Sequence, residues 1–112
     1  LPEFAGHTLR DVTSFGCGFD FRLDPPEAPD RADFLAVEVK GLAAAGGGIV
    51  MTDKEYRVAT RLRRRYFLGV IVNFAEAPEI RLIADPAGSS QLDLRPRTEI
   101  RRIRSWHASV PG

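Results

Sequence analysis

Apolar and polar residues alternate with period two in the first third of the chain, and each alternating stretch predicts a strand. Residues 8–13 (TLRDVT) form the first, followed by the glycine-punctuated turn SFGCG. Residues 18–24 (GFDFRLD) form the second, with Phe19, Phe21 and Leu23 on one side and Asp20 and Arg22 on the other. The segment DPPEAPDRAD predicts a loop, because proline lacks the N–H that a central strand needs. Residues 34–41 (FLAVEVKG) form the third strand, where Leu35, Val37 and Val39 share one face and Glu38 and Lys40 share the other.

The period then changes. GLAAAGGG reads as a flexible loop and lacks the lysine–serine/threonine ending that grips phosphates. Thr52 with Glu55 three residues on is a capping box, so a helix is expected to start there. Glu55, Val58, Ala59, Leu62 and Tyr66 fall at helical spacing on its inner face, with Lys54, Arg57, Arg61, Arg64 and Arg65 outward. YFLGVIVNF at 66–74 is apolar on both faces and predicts a central strand covered from both sides. IRLIAD at 80–85 predicts one more strand, and LDLRPRTEIRRIRSWHASV a peripheral, strand-like tail. The expected fold is α/β (α+β), a mixed sheet with at least one helix packed on it.

A chain of 112 residues is one domain by size. Its abrupt start before the first strand leads us to expect one module of a larger multidomain protein. No apolar run approaches the roughly 20 residues that span a bilayer, so no membrane partner is expected. The lone Cys17 cannot form an internal disulfide, which fits a reducing compartment and makes the cytoplasm the default location. A net charge of +1 says little about partners, but arginines crowd at 57–65 and 95–104 while acids collect at 24–33. That asymmetry permits a polyanion-binding face.

Glu38 and Lys40 leave the third strand on one face, about 7 Å apart along the chain. Pairing of the second and third strands would bring Asp20 beside Glu38. Spacing alone leaves two readings open. The charges either decorate a solvent-exposed sheet face, the ordinary outcome, or converge as a catalytic trio. The chemistry that wants this trio is metal-assisted phosphodiester hydrolysis. In it Asp20 and Glu38 ligate Mg²⁺ or Mn²⁺, and Lys40 positions water or stabilises developing charge. Direct pairing of Lys40 with Glu38 alone would leave it inert.

Arg57, Arg61 and Arg65 make a like-charge line along the helix that either a phosphate backbone or surface carboxylates such as Asp53 would offset. Arg102 and Arg104 with Trp106 form a basic–aromatic cluster that suits either single-strand contacts or closure of the core. Arg22 joins these as a candidate nucleic-acid contact. Thr52 and Glu55 either approach the active face, from which the helix directly follows, or act simply as a cap, the simpler account.

Taken in order, GFDF, VEVKG, MTDKEYRVA, YFLGVIVN and IRLIADP resemble the Protein NO VEIN C-terminal domain family, a branch of the PD-(D/E)XK nuclease-like superfamily. The resemblance spans about residues 8–86. It implies a restriction-endonuclease-like core and a metal-dependent nuclease, acting on nucleic acid, DNA foremost. Asp20 and Glu38 would be its metal-binding acids and Lys40 its catalytic lysine. Such domains sit beside helicase, methyltransferase or ATPase modules, often in restriction or phage defence. Phe19 stands before Asp20 where the superfamily motif has proline, and there is no room for the acidic helix that often precedes the first strand. A homodimer would suit double-strand cutting, though no residue pattern calls for one. The competing expectation is a catalytically inactive module of the same fold that binds nucleic acid or docks with neighbouring domains.

Overall fold

Two layers face each other in the computed structural model, which describes residues 4–26, 33–42, 44–73, 76–99 and 102–112. The first layer is a five-stranded sheet of β1 (Thr8–Asp11), β2 (Phe21–Asp24), β3 (Leu35–Gly41), β5 (Tyr66–Val72) and β6 (Glu79–Ala84), in that spatial order. Only β3 and β5 run parallel; the other neighbours are antiparallel. A parallel pair needs a crossover connection, and here it consists of β4 (Gly47–Thr52) and α1 (Asp53–Leu62). The second layer is α1 together with a three-stranded antiparallel sheet, β4–β8–β7, in which β7 (Arg95–Glu99) and β8 (Arg102–Val110) form a hairpin. The fold is therefore mixed α+β, eight strands and one helix among the described residues.

Burial follows the layers. Ala36, Met51, Val58, Ala59, Leu62 and Tyr66 fill the space between α1 and the large sheet. Leu68, Val70, Val72 and Ile83 of the large sheet meet Ile49, Ala108 and Val110 of the small one. The other face of the large sheet carries a smaller cluster of Leu23, Val37 and Phe67, flanked by Phe4, Phe21, Leu35, Val39 and Leu82. β5 is thus covered on both faces, as its continuous apolar run requires.

The helix begins where the capping box places it. Thr52 accepts a hydrogen bond from the Glu55 N–H, and Glu55 reaches back to the Thr52 N–H. It ends at Leu62, one turn short of the expected stripe, because Arg63 takes a positive φ of 55° and closes the helix by donating to the Ala59 carbonyl. Arg64 and Arg65 lie in a 3-10 turn, and Tyr66 belongs to β5, where it is fully buried.

Three further expectations are corrected. β2 starts at Phe21 rather than at residue 18, and the preceding bend sends Phe19 into the α1-side core, away from the cluster that holds Leu23. The glycine-rich stretch carries β4, not only a loop. A Cβ on Gly46 would collide with the Val110 carbonyl and the Gly112 backbone, so this glycine permits close packing against the C-terminal segment. The tail is a full hairpin that completes the second sheet. No helix among the described residues is long and apolar enough to cross a membrane.

Candidate active site

Strand alternation puts Ala36, Glu38 and Lys40 on the face of β3 that α1 and β4 cover. Glu38 is only 4% exposed, so the charged face of this strand is an interior one. The Lys40 ammonium lies 3.0 Å from Glu38 Oε2 and 3.0 Å from Glu55 Oε1, bridging the strand to the first turn of the helix. That same Glu55 oxygen accepts the Thr52 N–H at 2.9 Å. The cap and the ion pair therefore share one carboxylate oxygen.

Asp20 reaches the site through the backbone. Its N–H donates to the Val37 carbonyl, extending the β2–β3 pairing beyond the end of β2. Its carboxylate Oδ2 accepts the Val39 N–H at 2.8 Å. Asp20, Glu38 and Glu55 then line one cavity of about 170 Å³, together with Thr13, Gly16 and Lys54. The wall opposite the helix is the loop from Thr13 to Asp20, pressed close because Gly18 (φ +92°) has no Cβ to strike Val58. Tyr66 holds that loop by donating its hydroxyl to the Gly18 carbonyl at 2.8 Å.

The electrostatics reflect two carboxylates on one bridging ammonium, with the charge of Asp20 also acting on Glu38. Burial is the main force on Glu38; the charges of Glu55 and Asp20 add to it, Lys40 opposes it, and the carboxyl is pushed up to about 8. For Lys40, burial acts to lower the pKa, but the bond to Glu55 and the charge of Glu38 outweigh it and the direction is upward. Burial and the same carboxylates push the Tyr66 hydroxyl above the ordinary tyrosine range, which keeps it a neutral donor.

A cation implied by this chemistry fits the residues present. Asp20 Oδ2 and Glu38 Oε2 are held by protein donors, while Asp20 Oδ1 and Glu38 Oε1 carry no protein hydrogen bond among the described residues. No group of three or more His, Cys, Asp and Glu side chains among the described residues is arranged to hold a metal. Mg²⁺ is commonly held by one or two carboxylates and completes its shell with water and phosphate. A cation beside these carboxylates would oppose the upward push that burial gives Glu38.

The structure brings Asp20, Glu38 and Lys40 together, though Lys40 stands behind the two glutamates and does not itself line the cavity. The candidate arginines do not converge there. Arg22 lies 3.9 Å over the Phe34 ring and bonds Asp24, and Arg65 reaches the same ring and the Phe34 carbonyl, at the opposite end of β3 from Lys40. Arg57 pairs with Asp53 at 3.2 Å, and Arg61 is exposed on the outer face of α1. The side chains of Arg102 and Arg104 lie outside the described residues. Trp106 stacks on Tyr56 with ring centroids 3.6 Å apart and donates to Asp53, fastening α1 to β8. Sequence reasoning missed Glu55 as the second partner of Lys40, although its position on the inner face of the helix was the signal.

Fold and site together define a mixed α+β domain with an acid–lysine cluster at the seam of its layers. The sequence matches the family described as Protein NO VEIN, C-terminal, over residues 3–83, and the chain belongs to that family. The match includes every residue of the acid–lysine cluster and ends before the β7–β8 hairpin. Neither curated proteins nor solved structures gave a significant match.

Proposed function

We propose that this domain is a metal-dependent phosphodiesterase acting on nucleic acid, DNA foremost, with a PD-(D/E)XK-like site, and that it serves as a module of a larger protein. The observation that carries this reading is the meeting of Asp20 and Glu38 on one small cavity, with Lys40 bonded to Glu38. Asp20 and Glu38 would hold Mg²⁺ or Mn²⁺. Bound there, such a cation polarises a phosphoryl oxygen and lowers the pKa of water. Burial of Glu38 fixes its carboxylate against β3, and the Val39 N–H orients Asp20. Lys40 supplies the positive charge that stabilises the phosphorane-like transition state as the attacking oxygen bonds phosphorus and the leaving oxygen departs. Glu55 holds the ammonium beside Glu38.

Lys40→Ala tests the reading. Cleavage of labelled DNA in Mg²⁺ is expected to fall roughly 100- to 1,000-fold, the usual cost of removing one transition-state donor, while DNA binding is largely retained. Absence of Mg²⁺- or Mn²⁺-dependent cutting by the wild type, also in its full-length parent, would sink it. A second reading is a non-catalytic module that binds nucleic acid or docks with neighbouring domains. It draws support from the two carboxylates that already occupy the Lys40 ammonium.

A further inference from the structure

Phe15 is 71% exposed, the most exposed of the large apolar residues described. A single apolar side chain in water is ordinary; its place is what counts. It sits in a short 3-10 turn, Thr13–Phe15, between Thr13 and Gly16, two residues that line the acid cavity. The turn is fixed rather than loose. The Thr13 N–H donates to Asp11 Oδ1 at 2.9 Å, the Phe15 N–H to the Val12 carbonyl at 3.0 Å, and the Thr13 hydroxyl to the Asp20 carbonyl at 3.3 Å. Lys54 reaches the same place from α1: its Nζ would lie 4.0 Å from a Cβ built on Gly16. Among the described residues no carboxylate pairs with Lys54. An exposed aromatic residue and an unpaired cation therefore both neighbour Gly16, a residue of the cavity lining.

The cavity volume limits what can enter. At about 170 Å³ it is well below the roughly 300–1,000 Å³ of pockets that enclose whole small molecules. It has room for a phosphate with a hydrated ion, at about 30 Å³ per water, and would leave the attached base outside. In an intact duplex that base is paired and stacked on its neighbours, so it has no face to offer. An unpaired base has one, and aromatic side chains hold such bases without regard to sequence. We infer that the site takes single-stranded or locally unpaired nucleic acid, with Phe15 stacking on the base next to the phosphate and Lys54 pairing with the backbone. This rests on the phosphodiesterase reading of the cavity and names its substrate.

The test is fluorescence anisotropy in EDTA, so that nothing is cut, with a short labelled DNA strand and with the same strand in a blunt duplex. Wild type is expected to prefer the single strand. Phe15→Ala should weaken single-strand binding roughly 5- to 100-fold and leave duplex binding unchanged, while Phe15→Trp restores the affinity. Lys54→Ala should weaken binding and lower the slope of log affinity against log salt by about one phosphate contact. The ring is exposed, so thermal unfolding of Phe15→Ala should match wild type. Equal affinity for strand and duplex, with Phe15→Ala altering neither, overturns the inference and leaves the ring as a contact for a neighbouring protein domain. A chain that cuts nothing yet holds single strands through Phe15 keeps this inference and loses the phosphodiesterase one. A chain that cuts but binds independently of Phe15 does the reverse.

Discussion

On one face of β3, Leu35, Val37 and Val39 meet Phe4, Phe67 and Leu82; on the other, Ala36, Glu38 and Lys40 lie beneath α1 and β4. Alternation of this kind usually means apolar residues inside and polar ones in water. Here Glu38 at 4% exposure is buried as deeply as Val37 at 7%, while Leu35 and Val39 are only partly covered. Burying a carboxylate costs several kcal/mol unless its partners are well placed. Lys40 is placed for that, bonded to Glu38 and anchored by Glu55. One strand thus divides the work: its apolar face contributes stability and its charged face spends some of it on a reactive arrangement.

The division can be broken first from the apolar side, where the effect is largest. Phe67 is buried in the small cluster and meets Phe4 edge-on with centroids 5.3 Å apart. Phe67→Ala is expected to cost about 3–5 kcal/mol of stability, the range for deleting a buried ring. Denaturant unfolding measures this, and the cleavage rate per folded molecule should stay near wild type. A large loss of rate in a variant that remains folded would show that the two faces are not independent.

How far the sequence discloses this arrangement depends on the range of the interactions involved. The shared face of Glu38 and Lys40 is local geometry, and the capping box at Thr52 is legible for the same reason. Asp20 follows from the pairing of adjacent strands. Which face of β3 is covered is not local, because the cover comes from β4 and from a hairpin more than fifty residues further along. The glycine run hid β4, since glycine weakens strand propensity and the need for close approach to Val110 appears only in three dimensions. The Arg57 pairing is local as well, since Asp53, one of the carboxylates expected to offset the arginines, stands four residues before it, the spacing of a helical ion pair. Phe15 left a fainter trace, a large apolar residue set in a glycine-flanked turn.

A second prediction sharpens the contrast from the charged side. The ordinary Glu38 value of 4.5 is raised to about 8, chiefly by burial. The folded state then binds an extra proton between those values. The contribution of this group to stability is full below 4.5 and is lost as pH rises through 8. Lys40 shifts upward from 10.5 and stays out of that window. Glu38→Gln does not titrate, so its unfolding free energy should gain on wild type from pH 5 to about pH 8, by at most about 1.4 kcal/mol per pH unit, and level off above. The same variant should lose cleavage. A gap that stays flat, or shrinks, would mean that the carboxylate is solvated in the folded state.

The smallest effect reaches the charged face through the helix cap. Thr52 Oγ1 accepts the Glu55 N–H at 3.0 Å, and the Glu55 carboxylate, held by the Thr52 N–H, is the group that anchors Lys40. Thr52→Ala removes the side-chain half of this box and is expected to cost about 1 kcal/mol. Thr52→Ser keeps the hydroxyl and should recover most of it. If the cap serves the helix alone, only stability changes. If it also positions Glu55, Thr52→Ala lowers the cleavage rate per folded molecule by a modest factor, well short of Lys40→Ala, and Thr52→Ser restores it. Rates for the three variants, each corrected for its folded fraction, separate these outcomes, because a cap acting only on stability drops out of the corrected rate.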